Sequence, residues 1–269
     1  MQLPAWRLEN HRAQLELNSW RIALDVARPE QGLSLYEDVA HDITQSTAAL
    51  RVLGVALSDG EAGETSIAEC YVRGEDLVAT YTIPRLATRV QIYWRAIGDA
   101  FADETFSDYD GDKSEVGAID LQVSVQTDML DASPRVSTRS VLACERVMRL
   151  ISSRWSALKL TTIDPSVGVS LVPDGLPTCL LFPLRGGDDM YVEMVHPADF
   201  RQCQISQRDE NAIVERCLFA ETDLEKGVIM RARVRGLLIR PSAAGEGPVE
   251  AIAAEAYARF VEAPPPLTT

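Results

Sequence analysis

The sequence predicts an all-β protein, a large sandwich of two antiparallel sheets with one or two short helices. About a dozen short segments alternate apolar and polar residues between clusters of turn-forming residues, which is typical of antiparallel strands. No fixed repeat period marks a propeller or a solenoid, and at most two segments have helical spacing. The 269 residues fit a single domain spanning 1–269. A closed barrel is the competing architecture.

Two segments show the alternation most clearly, and both have a polar face. Near the carboxyl end, residues 228–235 place Val228, Met230, Ala232 and Val234 opposite Ile229, Arg231, Arg233 and Arg235. In residues 118–127, Ile119, Leu121, Val123 and Val125 alternate with Asp120, Gln122, Ser124 and Gln126. Because side chains in a strand point to opposite faces in turn, each segment predicts a strand with one buried face and one polar face.

Eleven further segments share this strand-like character: residues 12–17, 20–26, 32–36, 50–57, 67–73, 77–83, 89–96, 167–172, 179–184, 190–195 and 212–220. The segment 89–96 places Tyr93 and Arg95 on a polar face. A long acidic loop is expected over residues 99–117, between that strand and the next.

Two segments have the spacing of a helix. Residues 137–158 repeat apolar side chains every three or four positions after Ser137, which predicts a helix, although the β-branched and serine content leaves a pair of strands open. Residues 249–262 are rich in alanine and predict a short helix that ends before Pro264. The remaining residues, 263–269, form a proline-rich tail.

The composition narrows the classes of partner. A net charge of −14 disfavours nucleic acid as a partner, because phosphates repel acidic proteins. No apolar run reaches the roughly 20 residues that span a bilayer, so we expect a soluble protein without a membrane partner. The five scattered cysteines indicate buried thiols in a reducing compartment, and cytoplasmic is the simplest localisation.

No motif of high specificity predicts a cofactor or a metal. The sequence contains no phosphate-binding glycine loop, no nucleophile elbow and no zinc-binding helix motif. Residues 108–115 place three carboxylates at alternate positions, as calcium loops do. The glutamate that an EF-hand needs at its twelfth position is replaced by Ile119, which favours a solvated acidic loop.

The densest group of reactive side chains lies in residues 185–199, where His196 and Glu193 are candidates for a catalytic acid and base. The alternation places them on different faces of the predicted strand. The favoured interpretation is that His196 is structural, at a strand end, and that Glu193 is a solvated residue of the sheet.

The polar strand faces supply candidate ligand-binding residues: Arg231, Arg233, Arg235, Gln122, Gln126, Tyr93 and Arg95. Guanidinium groups can hold an oxyanion in two-pronged contacts, and amides and aromatic rings suit a sugar. The alternative is that the arginines pair with aspartates and glutamates on neighbouring strands. The sequence alone does not show whether these strands are neighbours.

Two stretches carry a resemblance to a known superfamily. Residues 29–37, in which a glycine-containing turn leads into a strand, and residues 221–228 are similar to segments of galactose-mutarotase-like proteins. The resemblance implies a supersandwich of two large sheets with a sugar site on the concave face of one of them. It also implies sugar epimerisation by a glutamate base and a histidine acid. The three histidines lie outside the His-aromatic contexts of that family, so no catalytic residue is carried over.

Three functional hypotheses follow. The first is a protein that binds a carbohydrate or a similar polar ligand through a polar sheet face. The second is an epimerase or a lyase that uses His196 and Glu193. The third is a scaffold whose exposed sheet face packs against another copy or another protein.

Overall fold

The computed structural model of the chain describes residues 5–37, 50–58, 65–97, 114–130, 132–144, 146–152, 158–185, 188–219, 224–241 and 249–263. Most of the acidic loop expected over residues 99–117, including its three alternating carboxylates, and most of the proline-rich tail lie outside these residues. The prediction of a loop is wrong for residues 115–117, which form the start of a strand.

Within these described ranges, eighteen strands form two antiparallel sheets of nine strands each. Sheet 1 has the order β1-β2-β3-β4-β5-β10-β17-β16-β13. Its strands are β1 (Arg7–Glu9), β2 (Arg12–Leu17), β3 (Trp20–Asp25), β4 (Leu33–Glu37), β5 (Leu50–Ser58), β10 (Arg135–Leu142), β13 (Val169–Leu171), β16 (Gln202–Arg208) and β17 (Asn211–Phe219). The predicted sandwich is therefore confirmed over the closed barrel.

Sheet 2 has the order β12-β11-β14-β15-β18-β9-β8-β7-β6. Its strands are β6 (Ser66–Arg73), β7 (Asp76–Ile83), β8 (Thr88–Ile97), β9 (Glu115–Thr127), β11 (Val147–Ser152), β12 (Lys159–Ile163), β14 (Cys179–Pro183), β15 (Met190–Val195) and β18 (Ile229–Arg240). The long strands β9 and β18 lie side by side in the middle of this sheet, with twelve residues of each in register.

The main hydrophobic core lies between the sheets. Alternate side chains of each strand point into it, for example Leu15 and Leu17 of β2 and Ile92 and Trp94 of β8. A turn before β4 depends on Gly32, which has a φ of +73°. A Cβ atom at that position would lie 2.6 Å from the carbonyl oxygen of Val52, so only glycine fits the turn.

A second hydrophobic layer forms where the helix α1 (Val249–Glu262) packs on the outer face of sheet 2. Tyr257 and Phe260 of α1 are buried there against side chains such as Met194 of β15 and Leu237 of β18. The small side chains of Ala253, Ala254 and Ala256 are buried at the contact and allow the helix to lie close to the sheet. The helix that the sequence predicts over residues 249–262 is confirmed.

The prediction of a helix over residues 137–158 is wrong, and the described residues form two strands, which was the alternative. This segment contains β10 and β11, which belong to different sheets. In β11, Val147 faces the main core while Met148 and Leu150 face the second hydrophobic layer, so apolar side chains occur on both faces of the strand and do not show a simple alternation. The strands β1, β12 and β16 were not predicted. Among the described residues, no helix has the length and apolar character needed to cross a membrane.

Candidate functional site

The structure brings the polar strands together on the outer face of sheet 2. Strands β18, β9, β8, β7 and β6 are consecutive neighbours, and their outward side chains form four cross-strand rows. The rows are Ile229-Gln126-Arg89-Thr82-Ser66, Arg231-Ser124-Gln91-Thr80-Glu69, Arg233-Gln122-Tyr93-Val78-Tyr71 and Arg235-Asp120-Arg95-Asp76-Arg73. All seven candidate ligand-binding residues from the sequence lie in these rows. We call this surface the polar sheet face.

One row is a ladder of alternating charges. Arg235 donates two hydrogen bonds to the carboxylate of Asp120, at 2.5 and 2.8 Å. Arg95 donates two to the carboxylate of Asp76, at 2.7 and 2.9 Å. The hydrogen bond to Asp76 is the main cause that raises the pKa of Arg95. These two guanidinium groups already hold carboxylates in two-pronged contacts, so they stabilise the sheet and do not present free anion sites.

Arg233 lies against the end of α1. Its guanidinium carbon is 5.6 Å from the centre of the Phe260 ring, and Nη1 donates to the carbonyl oxygen of Ala263 at 3.2 Å. The guanidinium carbon of Arg235 is 4.9 Å from the same ring. Both arginines therefore fasten the helix to the sheet through cation–π contacts, and the helix forms a wall at one side of the polar sheet face.

The centre of the polar sheet face is different, because its groups are not held in ion pairs. We define the central patch as Gln91, Tyr93, Gln122, Ser124 and Arg231. Arg231 is exposed and has no ion-pair partner among the residues that the structure describes. The hydroxyl of Tyr93 donates to Oε1 of Gln91 at 2.6 Å.

The tyrosine and glutamine of the central patch continue into a short network. Nε2 of Gln91 donates to Oγ1 of Thr80 at 3.3 Å, which fixes the amide and orients the hydroxyl of Tyr93. Partial burial is the main cause that raises the pKa of Tyr93, so the hydroxyl keeps its proton at neutral pH. Gln122 and Ser124 are only 6% and 8% exposed, whereas Gln91 and Tyr93 are half-buried and Arg231 is exposed. The patch therefore combines an exposed guanidinium donor and a half-buried aromatic ring with amide groups in neighbouring rows.

The polar sheet face continues to an exposed aromatic side chain at the edge of sheet 2. Tyr71 of β6 is 38% exposed and occupies the same row as Gln122 and Tyr93, with Val78 between the two tyrosines. Two aromatic rings therefore flank a small apolar position on an otherwise polar surface.

Comparison with known proteins gives the fold. The sequence matches no protein-family model and no curated protein sequence. Among solved structures, the GH36 alpha-galactosidase AgaA from Geobacillus stearothermophilus is similar with a TM-score of 0.52 and 7% identity. The GH36 alpha-galactosidase AgaB from the same organism is similar with a TM-score of 0.50 and 5% identity. The fold is the galactose-mutarotase-like β-sandwich.

The similarity spans most of this chain but less than half of each solved structure. It covers 85% of this chain and 40% of AgaA, and 90% of this chain and 41% of AgaB. At these identities the comparison establishes the fold alone.

The structure does not bring the candidate acid and base together. Glu193 of β15 points into the core between the sheets and is fully buried. His196 follows β15 on the opposite side, where its ring lies edge-on to Phe260 of α1, with 6.3 Å between the ring centres. The two side chains share no pocket, and the geometry does not support the acid–base mechanism proposed for them.

Glu193 takes part in a buried polar cluster that links the two sheets. Nη1 of Arg216, from β17 in sheet 1, donates to Oε1 of Glu193. Ser140 and Tyr191 both donate to Oε2, at 2.5 and 2.9 Å. Burial is the main cause that lowers the pKa of Arg216, to about 10. A Cβ atom at Gly236, the cross-strand neighbour of Glu193, would lie 2.8 Å from the Tyr191 hydroxyl, so glycine there makes room for the cluster.

The sequence-based description of Glu193 as a solvated residue is wrong, because the strand face that carries it points into the core. The structural interpretation of His196 fits its contacts. Its Nδ1 accepts a hydrogen bond from the backbone N–H of Ala198 at 3.3 Å, and its Nε2 lies 3.3 Å from the carbonyl oxygen of Val261. His196 thus caps a turn and contacts the end of α1.

Three of the cysteines are deeply buried. Burial raises the pKa of Cys144 to about 11, and it raises those of Cys179 and Cys203 to about 12. Thiols in this environment are poor nucleophiles at neutral pH. In the described part of the chain, no group of three or more His, Cys, Asp or Glu side chains is placed to hold a metal ion.

Proposed function

We propose that this protein binds a carbohydrate through the central patch of the polar sheet face. The observation that carries the proposal is the register that places Arg231, Ser124 and Gln91 in one row beside Gln122 and Tyr93 in the next. This surface is built from strands rather than loops, so its groups are held in fixed positions before a ligand arrives.

The chemical composition of the patch suits a sugar. Sugar hydroxyls both donate and accept hydrogen bonds, and the amides of Gln91 and Gln122 provide both functions. The guanidinium of Arg231 adds donors, and the ring of Tyr93 can cover the apolar face of a pyranose. A surface formed by side chains of several neighbouring strands fits a chain of several sugar units better than a single monosaccharide.

The patch favours a neutral ligand over an anionic one. Arg235 and Arg95 are occupied by Asp120 and Asp76, and Arg233 is held against α1. Arg231 and Arg89 are both exposed without an ion-pair partner in the residues that the structure describes, and of the two only Arg231 belongs to the central patch. A single exposed arginine on an acidic protein provides weak attraction for an anion, whereas its donors serve a neutral sugar equally well.

The fold neighbours support the ligand class. An AgaA variant was solved in complex with 1-deoxygalactonojirimycin, and that structure is similar to this chain with a TM-score of 0.50 and 6% identity. The similarity covers 40% of that chain, so it supports carbohydrate only as the class of ligand. The position of the binding site is argued from the residues of this chain alone.

Titration calorimetry of the full chain against a panel of neutral and acidic oligosaccharides tests the proposal. We expect at least one neutral oligosaccharide to bind with a Kd in the micromolar to millimolar range, and the variants Tyr93→Ala and Gln122→Ala to weaken binding at least tenfold. The matched control is Tyr36→Ala, since Tyr36 is an exposed tyrosine (42%) on the outer face of sheet 1. Absence of heat from every member at millimolar concentration overturns the proposal.

The epimerase hypothesis has no comparable support, because Glu193 and His196 lie on opposite sides of sheet 2. The hypothesis of a scaffold that buries the arginine-bearing face makes a prediction opposite to ours, namely that oligomer formation blocks the central patch. Light scattering with and without the oligosaccharide distinguishes the two hypotheses. Our proposal predicts that the measured mass of the protein does not change when an oligosaccharide occupies the central patch.

A further inference from the structure

One edge strand of sheet 2 is longer than the other edge strands of the sandwich in the described residues. The two sheets have four edge strands: β1 and β13 have three residues each, β12 has five and β6 has eight. In the described part of the chain, β6 pairs only with β7. A long edge strand presents unpaired backbone N–H and C=O groups to any strand that can lie beside it.

The side chains of β6 have the arrangement of an ordinary strand over its second half. The pairing with β7 is irregular between Ile67 and Glu69, and it is regular from Glu69 to Arg73. Within that stretch Glu69, Tyr71 and Arg73 are exposed, while Cys70 and Val72 are half-buried and pack against the core. Any partner strand must match this alternation, because residues directly opposite each other in a sheet share a face.

We propose that two copies of this chain associate through their β6 strands, paired antiparallel with Tyr71 opposite Tyr71. In this register Glu69 of each copy lies opposite Arg73 of the other, and Cys70 lies opposite Val72. Two opposite-charge pairs and one pair of aromatic rings then form on the outer face, and apolar side chains meet on the inner face. The two-fold axis runs through the Tyr71 pair, perpendicular to the sheet.

The charges select this register. A shift by one residue places exposed side chains opposite buried ones, which the alternation forbids. A shift by two residues in either direction separates Glu69 from Arg73, and larger shifts place Glu69 opposite Glu69 or Arg73 opposite Arg73. Arg73 is available for the contact, since its side chain is 58% exposed and lies 4.0 Å from Asp76.

The association joins the two copies of sheet 2 into one continuous sheet, with both polar sheet faces on the same side. The interface is small, because only five residues of each strand pair regularly. We therefore expect a reversible dimer with a Kd of about 10–100 µM. The proposal does not depend on carbohydrate binding, and neither result decides the other.

Sedimentation equilibrium of the full chain at physiological salt, from about 1 µM to 1 mM, tests the proposal. The average mass is expected to rise from the 29.6 kDa of one chain toward twice that value. The variants Glu69→Lys and Arg73→Glu should each weaken association at least tenfold, because each places like charges opposite each other. The double variant E69K/R73E should restore it, because the opposite-charge pairs are then exchanged.

The variant Glu16→Lys is the matched control. Glu16 lies on the outer face of sheet 1 with a side chain 68% exposed, and the substitution changes the net charge by the same amount as Glu69→Lys. Association equal to that of the unmodified chain is expected. A chain that stays monomeric at 1 mM, or a double variant that associates no better than the single variants, overturns the proposal.

Discussion

Arg216 of sheet 1 and Glu193 of sheet 2 form an ion pair that is almost completely shielded from water, with side chains 2% and 1% exposed. Ser140 and Tyr191 complete the hydrogen bonds of the carboxylate. Removing two charges from water is costly, and such a pair is tolerated because each charge has a close partner. The pair also fixes how the two sheets are aligned, since each residue comes from a different sheet.

Loss of one partner of this ion pair should strongly destabilise the protein. Glu193→Ala leaves the guanidinium of Arg216 buried without its counter-charge, and Arg216→Ala leaves the carboxylate. We expect each substitution to lower the free energy of unfolding by about 3–5 kcal/mol. Urea denaturation followed by tryptophan fluorescence measures the change.

The double variant Glu193→Leu with Arg216→Met serves as the control, because it removes both charges and keeps most of the volume. It should recover at least half of the loss. Single variants that lose less than about 1 kcal/mol would show that the pair is not buried in solution.

Substitution by alanine should affect protein stability at Arg235 and carbohydrate affinity at Arg231. Arg235→Ala removes two hydrogen bonds to Asp120 and a contact with Phe260, so we expect a loss of stability of about 1–2 kcal/mol. Arg231→Ala alters an exposed side chain, so stability should change by less than about 0.5 kcal/mol while carbohydrate affinity falls. Thermal unfolding and calorimetry of both variants check this, and equal effects on stability contradict it.

Carbohydrate binding should be insensitive to pH from about 6 to 9. Partial burial raises the pKa of Tyr93 above the usual tyrosine value, so its hydroxyl keeps its proton throughout this pH range. The contribution of this hydroxyl to folding is therefore complete below the unfolded pKa and is lost as pH rises through the folded pKa. Calorimetry at several pH values tests the prediction, with Tyr93→Phe as the control. A midpoint near pH 6 or 7 would instead indicate a histidine.

Phe260 should be essential for the attachment of α1. Its ring is 2% exposed, packs in the second hydrophobic layer and contacts the guanidinium groups of Arg233 and Arg235. Phe260→Ala should cost about 3–5 kcal/mol. Ala263, which follows the helix, offers a control, because Ala263→Ser retains the backbone oxygen that accepts from Arg233. Hydrogen exchange of residues 249–262 should accelerate in the first variant only, and unchanged exchange in both contradicts this role for the ring.

The strand pattern was predictable because most strands have one face in the core and one face in water. Residues 228–235 and 118–127 show this alternation over eight or more positions, and the structure places them side by side. The helix over residues 249–262 was also predictable, since its alanine content and the following prolines are local features. The polar character of the candidate site followed from the same alternation.

The rest depends on contacts that are distant in sequence. The register of β18, β9 and β8 determines which arginines lie beside a carboxylate. The alternation within a single strand gives no information about this register. Asp76 lies just before residues 77–83, the apolar segment that predicted this strand. No local pattern in the sequence therefore indicated that Asp76 would pair with Arg95. Glu193 lies within a strand that is buried on both faces, and a carboxylate there is explained only by Arg216 on the other sheet.

A crystal structure of the chain with the tightest-binding oligosaccharide tests the central claim most directly. The account predicts that a sugar ring contacts Tyr93 and that hydroxyls of the ligand hydrogen-bond to Arg231 and Gln122 on the outer face of sheet 2. An oligosaccharide bound to sheet 1, or elsewhere with these three side chains untouched, contradicts it.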